Sequence, residues 1–88
     1  LAYCTLGTND MDRSVAFYDA LLGTMGAKRL FEVPKGHVYG VSMEAPMLGI
    51  LRPFDDKPAT SGNGTMVALH AANRDLVHTV HAKAMDLG

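Results

Sequence analysis

Apolar and polar positions change period along the chain. Residues 1–7, LAYCTLG, alternate: Ala2, Cys4 and Leu6 share one face, and Leu1, Tyr3, Thr5 and Gly7 the other. That is the two-residue period of a half-buried strand. From Met11 the period becomes helical, with Met11, Val15, Tyr18, Leu22 and Met25 on one stripe, Leu21 beside it and Phe17 off it. Asn9 and Asp10 each suit the helix cap, because a short side-chain oxygen accepts from first-turn amides. Asp12 puts negative charge at the positive end of the helix dipole. Gly23 and Gly26 supply a stop. The pattern predicts a helix over about 11–22, packed on the Cys4 and Leu6 face.

Three further strands are predicted before the composition changes: 27–33, 37–43 and 47–52, joined by Pro34-Lys35-Gly36 and Glu44-Ala45-Pro46. In the second of these, His37, Tyr39, Val41 and Met43 share a face. Residues 53–64, PFDDKPATSGNG, read as a polar linker. A fifth strand is expected over 64–71, with Val67 and Leu69 opposite Met66, Ala68 and His70. Asn73 then caps a second helix to about Leu87, striped by Leu76, Val77, Val80, Ala84 and Leu87 and ended by Gly88. Strand and helix thus occur in the same order before and after the linker, an internal repeat. A ferredoxin-like sandwich is the competing fold, but it puts two strands between its helices. This pattern puts four there.

Composition narrows the classes. Eighty-eight residues suffice for one domain, and 48% apolar content is that of a folded chain. A net charge of -1 without a basic cluster argues against nucleic acid. No apolar run reaches membrane-spanning length. The single Cys4 allows no internal disulfide and fits a cytoplasmic protein. The chain opens without Met and closes on a helix pattern, so it is expected to belong to a longer protein.

Three stretches together carry a family likeness: TLGTNDMDRSVAFYDALLG, PFDDKPATSGNGT and GTMVALHAANRDLVHTVHAKAMDLG. They resemble the vicinal oxygen chelate superfamily of glyoxalase, bleomycin-resistance and extradiol-dioxygenase proteins. The resemblance implies an α+β fold of paired βαβββ modules, whose curved mixed sheet encloses a cleft. Residues 1–53 would form the first module, 54–63 the linker, and 64–88 the start of a second module truncated after its first strand and helix. It also implies pairing of modules, sometimes across chains, and a homodimer is expected. Metal-dependent members hold a divalent ion on the first and last strands of each module. Tyr3 and Met66 stand where that pattern has histidines, and Gly49, Ile50 and Leu51 offer no carboxylate. A phenol and a thioether replace those ligands poorly. No metal and no other cofactor are therefore expected.

The residues themselves suggest a cleft lined by Tyr3, Thr5, Met66 and His70, suited to a small, partly apolar organic ligand. Arg52 is a candidate for an anionic group through a bidentate contact. Tyr39 has two readings, cleft lining or core support. His70 is a candidate general base, since imidazole titrates near neutrality, but no catalytic residue is assigned. His78 and His81 lie three apart on the second helix with no third ligand, and read as solvated. Two functions follow: metal-independent binding of a small molecule, or a divalent-metal-dependent lyase, isomerase or dioxygenase. Neither involves a membrane.

Overall fold

Asp10 starts the first helix: its carboxylate accepts from the Arg13 amide at 3.1 Å, satisfying one first-turn donor. The computed structural model describes residues 2–88; Leu1, which the alternation assigns to the first strand, lies outside them. The elements are β1 (Tyr3–Gly7), α1 (Met11–Gly23), β2 (Lys28–Val33), β3 (Gly36–Gly40), β4 (Met47–Leu51) and α2 (Arg74–Leu87). A single turn ends α1. The Ala27 amide donates to the Leu22 carbonyl at 3.0 Å and the Gly26 amide to Gly23 at 3.2 Å, with Gly26 at φ +78°. This is the paired-bond glycine stop of helices. Gly26 supplies the left-handed residue; Gly23 remains helical.

The four strands form one mixed sheet in the order β1-β4-β3-β2. β1 runs parallel to β4, while β4, β3 and β2 are antiparallel neighbours. α1 lies across β2, β3 and β4. The sheet's α1 side and the helix enclose a core of Leu22, Tyr39, Leu48 and Ile50, with Cys4, Leu6, Tyr18 and Met25 packed around it. Cys4 and Leu6 therefore face the helix, as the alternation requires. α2 packs against α1 alone among the elements and buries no residue.

Two expected elements differ. β3 ends at Gly40 rather than Met43, and Val41 and Met43 are exposed. The chain turns there, with the Ala45 amide reaching the Ser42 carbonyl, to bring β4 back beside β3. Residues 65–70 form no strand although their alternation is sound. An extended segment becomes a strand only through ladder bonds to a neighbour, and none of the four strands pairs with it. Three strands, not four, separate the helices.

Candidate ligand-binding face

Cross-strand partners point to the same side of a sheet. The register aligns Tyr3 with Met47, Thr5 with Gly49 and Val38, and Gly36 with Leu51. These residues occupy the side away from α1, and no helix covers that side among the described residues. A bulge between Arg29 and Phe31 adds Leu30 and Phe31 side by side at the β2 edge.

This open face is low in the middle. Gly40 and Gly49 contribute no side chain, and a Cβ on Gly40 would lie 2.9 Å from Leu30 Cδ1 and 3.1 Å from Met47 Cγ. Larger neighbours have closed over the glycines, so Gly40, Gly49 and Val38 are buried without a covering layer. Apolar side chains stand at the margins: Tyr3 is 58% exposed and Phe31 39%. The polar groups of the face are the Tyr3 phenol, the Thr5 hydroxyl and the Lys28 ammonium, as its register with Gly40 requires. The surface is apolar, with a few hydroxyls and a cation, and carries no imidazole, thiol or carboxylate.

One end of this face is walled. Residues 53–60, a linker by composition, are strapped across the ends of β1 and β4. Asn9 makes the clasp: its side-chain amide donates to the Ala59 carbonyl at 2.9 Å and accepts from the Ala59 amide at 2.5 Å. The pair mimics one rung of a β-ladder. Asp56 closes a turn on the Pro53 carbonyl at 3.0 Å and sits at φ +60°. Its carboxylate is ion-paired with Lys35, whose hydrogen bond holds the Asp56 carboxyl below the usual carboxylate range. Between strap and sheet lies a cavity of about 420 Å³, lined by Thr5, Gly7, Lys35, Leu51, Arg52 and Phe54 among others.

On the α1 side, residues 66–70 border a larger, half-open apolar hollow of about 750 Å³ with Cys4, Met25 and Leu48. Tyr39 borders it but belongs to the core, 1% exposed, and its hydroxyl donates to Asp19 Oδ1 at 2.8 Å. Asp19 also pairs with Arg29 Nε at 3.2 Å, tying α1 to β2 and β3. Burial, reinforced by the Asp19 carboxylate, pushes the Tyr39 phenol well above its ordinary range.

The six residues singled out from sequence therefore divide. Thr5 and Arg52 meet at the walled end of the open face, and Tyr3 stands at its margin. Tyr39, Met66 and His70 gather on the opposite side. The division follows from the unpaired 65–70 segment, which is not seated beside β1. Met66 is 87% exposed there. Tyr3 and Met66, the two positions the family pattern gives to metal ligands, thus lie on different sides of the sheet. Their phenol and thioether do not fit a divalent ion in any case. Among the described residues, no three His, Cys, Asp or Glu side chains come close enough to hold one.

Lys35, Phe54 and the Asn9 clasp escaped the sequence reading. Phe54 alone left a signal, as the one aromatic within 53–64. Of the two cap candidates, Asp10 takes the cap and Asn9 makes the clasp.

No family model and no curated protein matches the sequence. Solved structures do. A glyoxalase/bleomycin resistance protein from Albidiferax ferrireducens T118 superposes with a TM-score of 0.87 at 31% identity, covering 100% of this chain and 72% of that one. A Bacillus halodurans protein, provisionally named a glyoxalase, gives 0.69 at 22% identity over 98% of this chain and 67% of its own; at that identity the likeness speaks for the fold. The first relative is similar along the whole length of this chain. On that footing the chain belongs to the glyoxalase/bleomycin resistance proteins of the vicinal oxygen chelate superfamily.

Proposed function

We propose that the open sheet face is one wall of a cleft that binds a small, partly apolar organic molecule without a divalent ion. The observation that carries this reading is the composition of the face: a glycine-lowered apolar floor bordered by Tyr3 and Thr5, with no imidazole or carboxylate pointing from it. Pockets of that make-up bind by burying ligand area and fix orientation with few polar groups. Metal-assisted chemistry needs nitrogen or carboxylate oxygen donors converging on one point. Neither Tyr3 nor Met66 supplies one.

The protein is read as acting in pairs. Met66, Val77 and Met85 are more than half exposed, and apolar surface of that kind usually becomes covered by association. A homodimer with its cleft completed by a second module is the arrangement this reading favours. Cys4 is a free thiol, in keeping with a cytoplasmic setting.

Metal analysis of the full-length protein, purified with zinc and nickel supplied, tests the reading. The expected result is no stoichiometric ion and no turnover of a glutathione hemithioacetal or a catechol. A chelator-removable ion whose loss abolishes turnover overturns it in favour of a lyase, isomerase or dioxygenase. Sedimentation velocity tests the dimer, which a monomer at all accessible concentrations would rule out.

A further inference from the structure

We infer that the strap makes the walled end of the cleft selective for an anionic group attached to a flat apolar body, with Arg52 receiving the charge and Phe54 covering the body. The inference rests on the cleft proposed above and specifies what enters it.

Arg52 lines both the strap cavity and a second cavity of about 390 Å³ on the other side of Pro53 and Pro58. Its guanidinium makes one long hydrogen bond, from Nη2 to the Pro34 carbonyl at 3.3 Å. Among the described residues it has no carboxylate partner. The neighbouring cation is committed: Lys35 is paired with Asp56. Asp55 also lines the strap cavity, and its carboxylate accepts from the Lys57 amide at 3.0 Å. Arg52 is thus the cation that no carboxylate contacts directly, with the Asp56 charge, itself paired to Lys35, in its wider field. A guanidinium with most of its fork unused is built for bidentate capture of a carboxylate or phosphate.

Phe54 supplies the second half. It is 93% exposed, although it sits on a strap pinned on both sides by Asn9 and Lys35. Folding gains nothing from an aromatic ring so placed. A flat ligand seated between Phe54, Leu51 and Thr5 would cover it, and the clasped strap spares the ordering cost of binding.

The test uses a matched pair of probes, 2-naphthoate and 2-naphthamide, titrated into isotope-labelled full-length protein while backbone amide shifts are followed. Both probes are expected to move Thr5, Gly7 and Phe54, with the carboxylate binding about ten-fold more tightly, the usual worth of a charge-assisted contact. Arg52→Gln should bring naphthoate down to the amide's affinity and leave the amide unchanged; Arg52→Lys should restore part of the preference. Phe54→Ser should weaken both probes alike. Unchanged spectra away from the strap verify that these surface variants fold. Equal binding of the two probes, or a preference that survives Arg52→Gln, overturns the anion assignment and keeps the cleft. Absence of shifts at millimolar probe overturns both.

Discussion

Residues 3–26 and 65–88 both alternate over a short apolar run, then place an Asx cap, a helix and a glycine. The caps work equally well. Asp10 accepts from Arg13 at 3.1 Å and Asn73 from Leu76 at 2.8 Å. Beyond the caps the halves diverge. Tyr3–Gly7 pairs with β4, and α1 buries Leu21 and Leu22 over the sheet. Residues 65–70 pair with no strand, and α2 buries nothing. A helix and its cap are local and form from nearby sequence. A strand and a buried face are not; they need a ladder and a layer contributed from elsewhere in the chain. The first half has β2, β3 and β4 to provide them.

The sharpest test sets one helix against the other. Leu22→Ala, in the α1 core at 4% exposure, is expected to cost about 2–5 kcal/mol in urea unfolding. Val77→Ala, 53% exposed on α2, should stay within about 0.5 kcal/mol. Equal losses would mean that the second half is as well packed as the first.

Alkaline titration reads the α1–β3 tie. The folded state holds the Tyr39 phenol protonated, its affinity for the proton raised by burial and by Asp19. Its stabilisation is complete below the ordinary tyrosine value near 10 and lost as pH rises beyond it, by up to about 1.4 kcal/mol per pH unit. Tyr39→Phe should flatten most of that slope in thermal melts between pH 9 and roughly 11. Tyr18, also raised by burial, keeps a remainder.

A pair of glycine substitutions should act with opposite signs. Gly26→Ala forces a side chain into φ +78° and is expected to destabilise by about 1 kcal/mol. Gly23→Ala meets nothing within 4 Å and should stabilise α1 by about 0.5–1 kcal/mol through helix propensity. A loss at both positions would place the helix stop earlier than Gly26.

The smallest effects concern the strap. Asn9→Ala should release the Ala59 amide to faster hydrogen exchange with little change in global stability. Acid should loosen the Lys35–Asp56 end. Asp56 binds its proton less readily when folded, so this contribution is present above the ordinary aspartate range and disappears as pH falls through the lowered value. Exchange of residues 53–60 that ignores both changes would mean the strap is held by something else.

Legibility in the sequence follows the same division. β1, α1, β2, β4 and α2 were readable because local periods and caps define them. The side of β1 facing the helix followed from Cys4 and Leu6 once the helix stripe was known. Tyr39 resisted, because an aromatic in alternation fits either side; its hydroxyl partner, Asp19, is 20 residues away in sequence. The expected strand at 64–71 failed for want of a ladder partner. The strap is the clearest case of tertiary override. Its composition is that of a loose linker, yet Asn9 grips it from 50 residues away. Phe54 and Arg52 line the cavity between that strap and the sheet.

β1 is the outermost strand next to β4, so the five-residue run Tyr3–Gly7 spends one row of peptide groups within the sheet and turns the other outward. Such a margin is a docking rail for any extended peptide that meets it in register. Handling at high concentration or on warming should therefore recruit further copies at this seam before the core itself gives way.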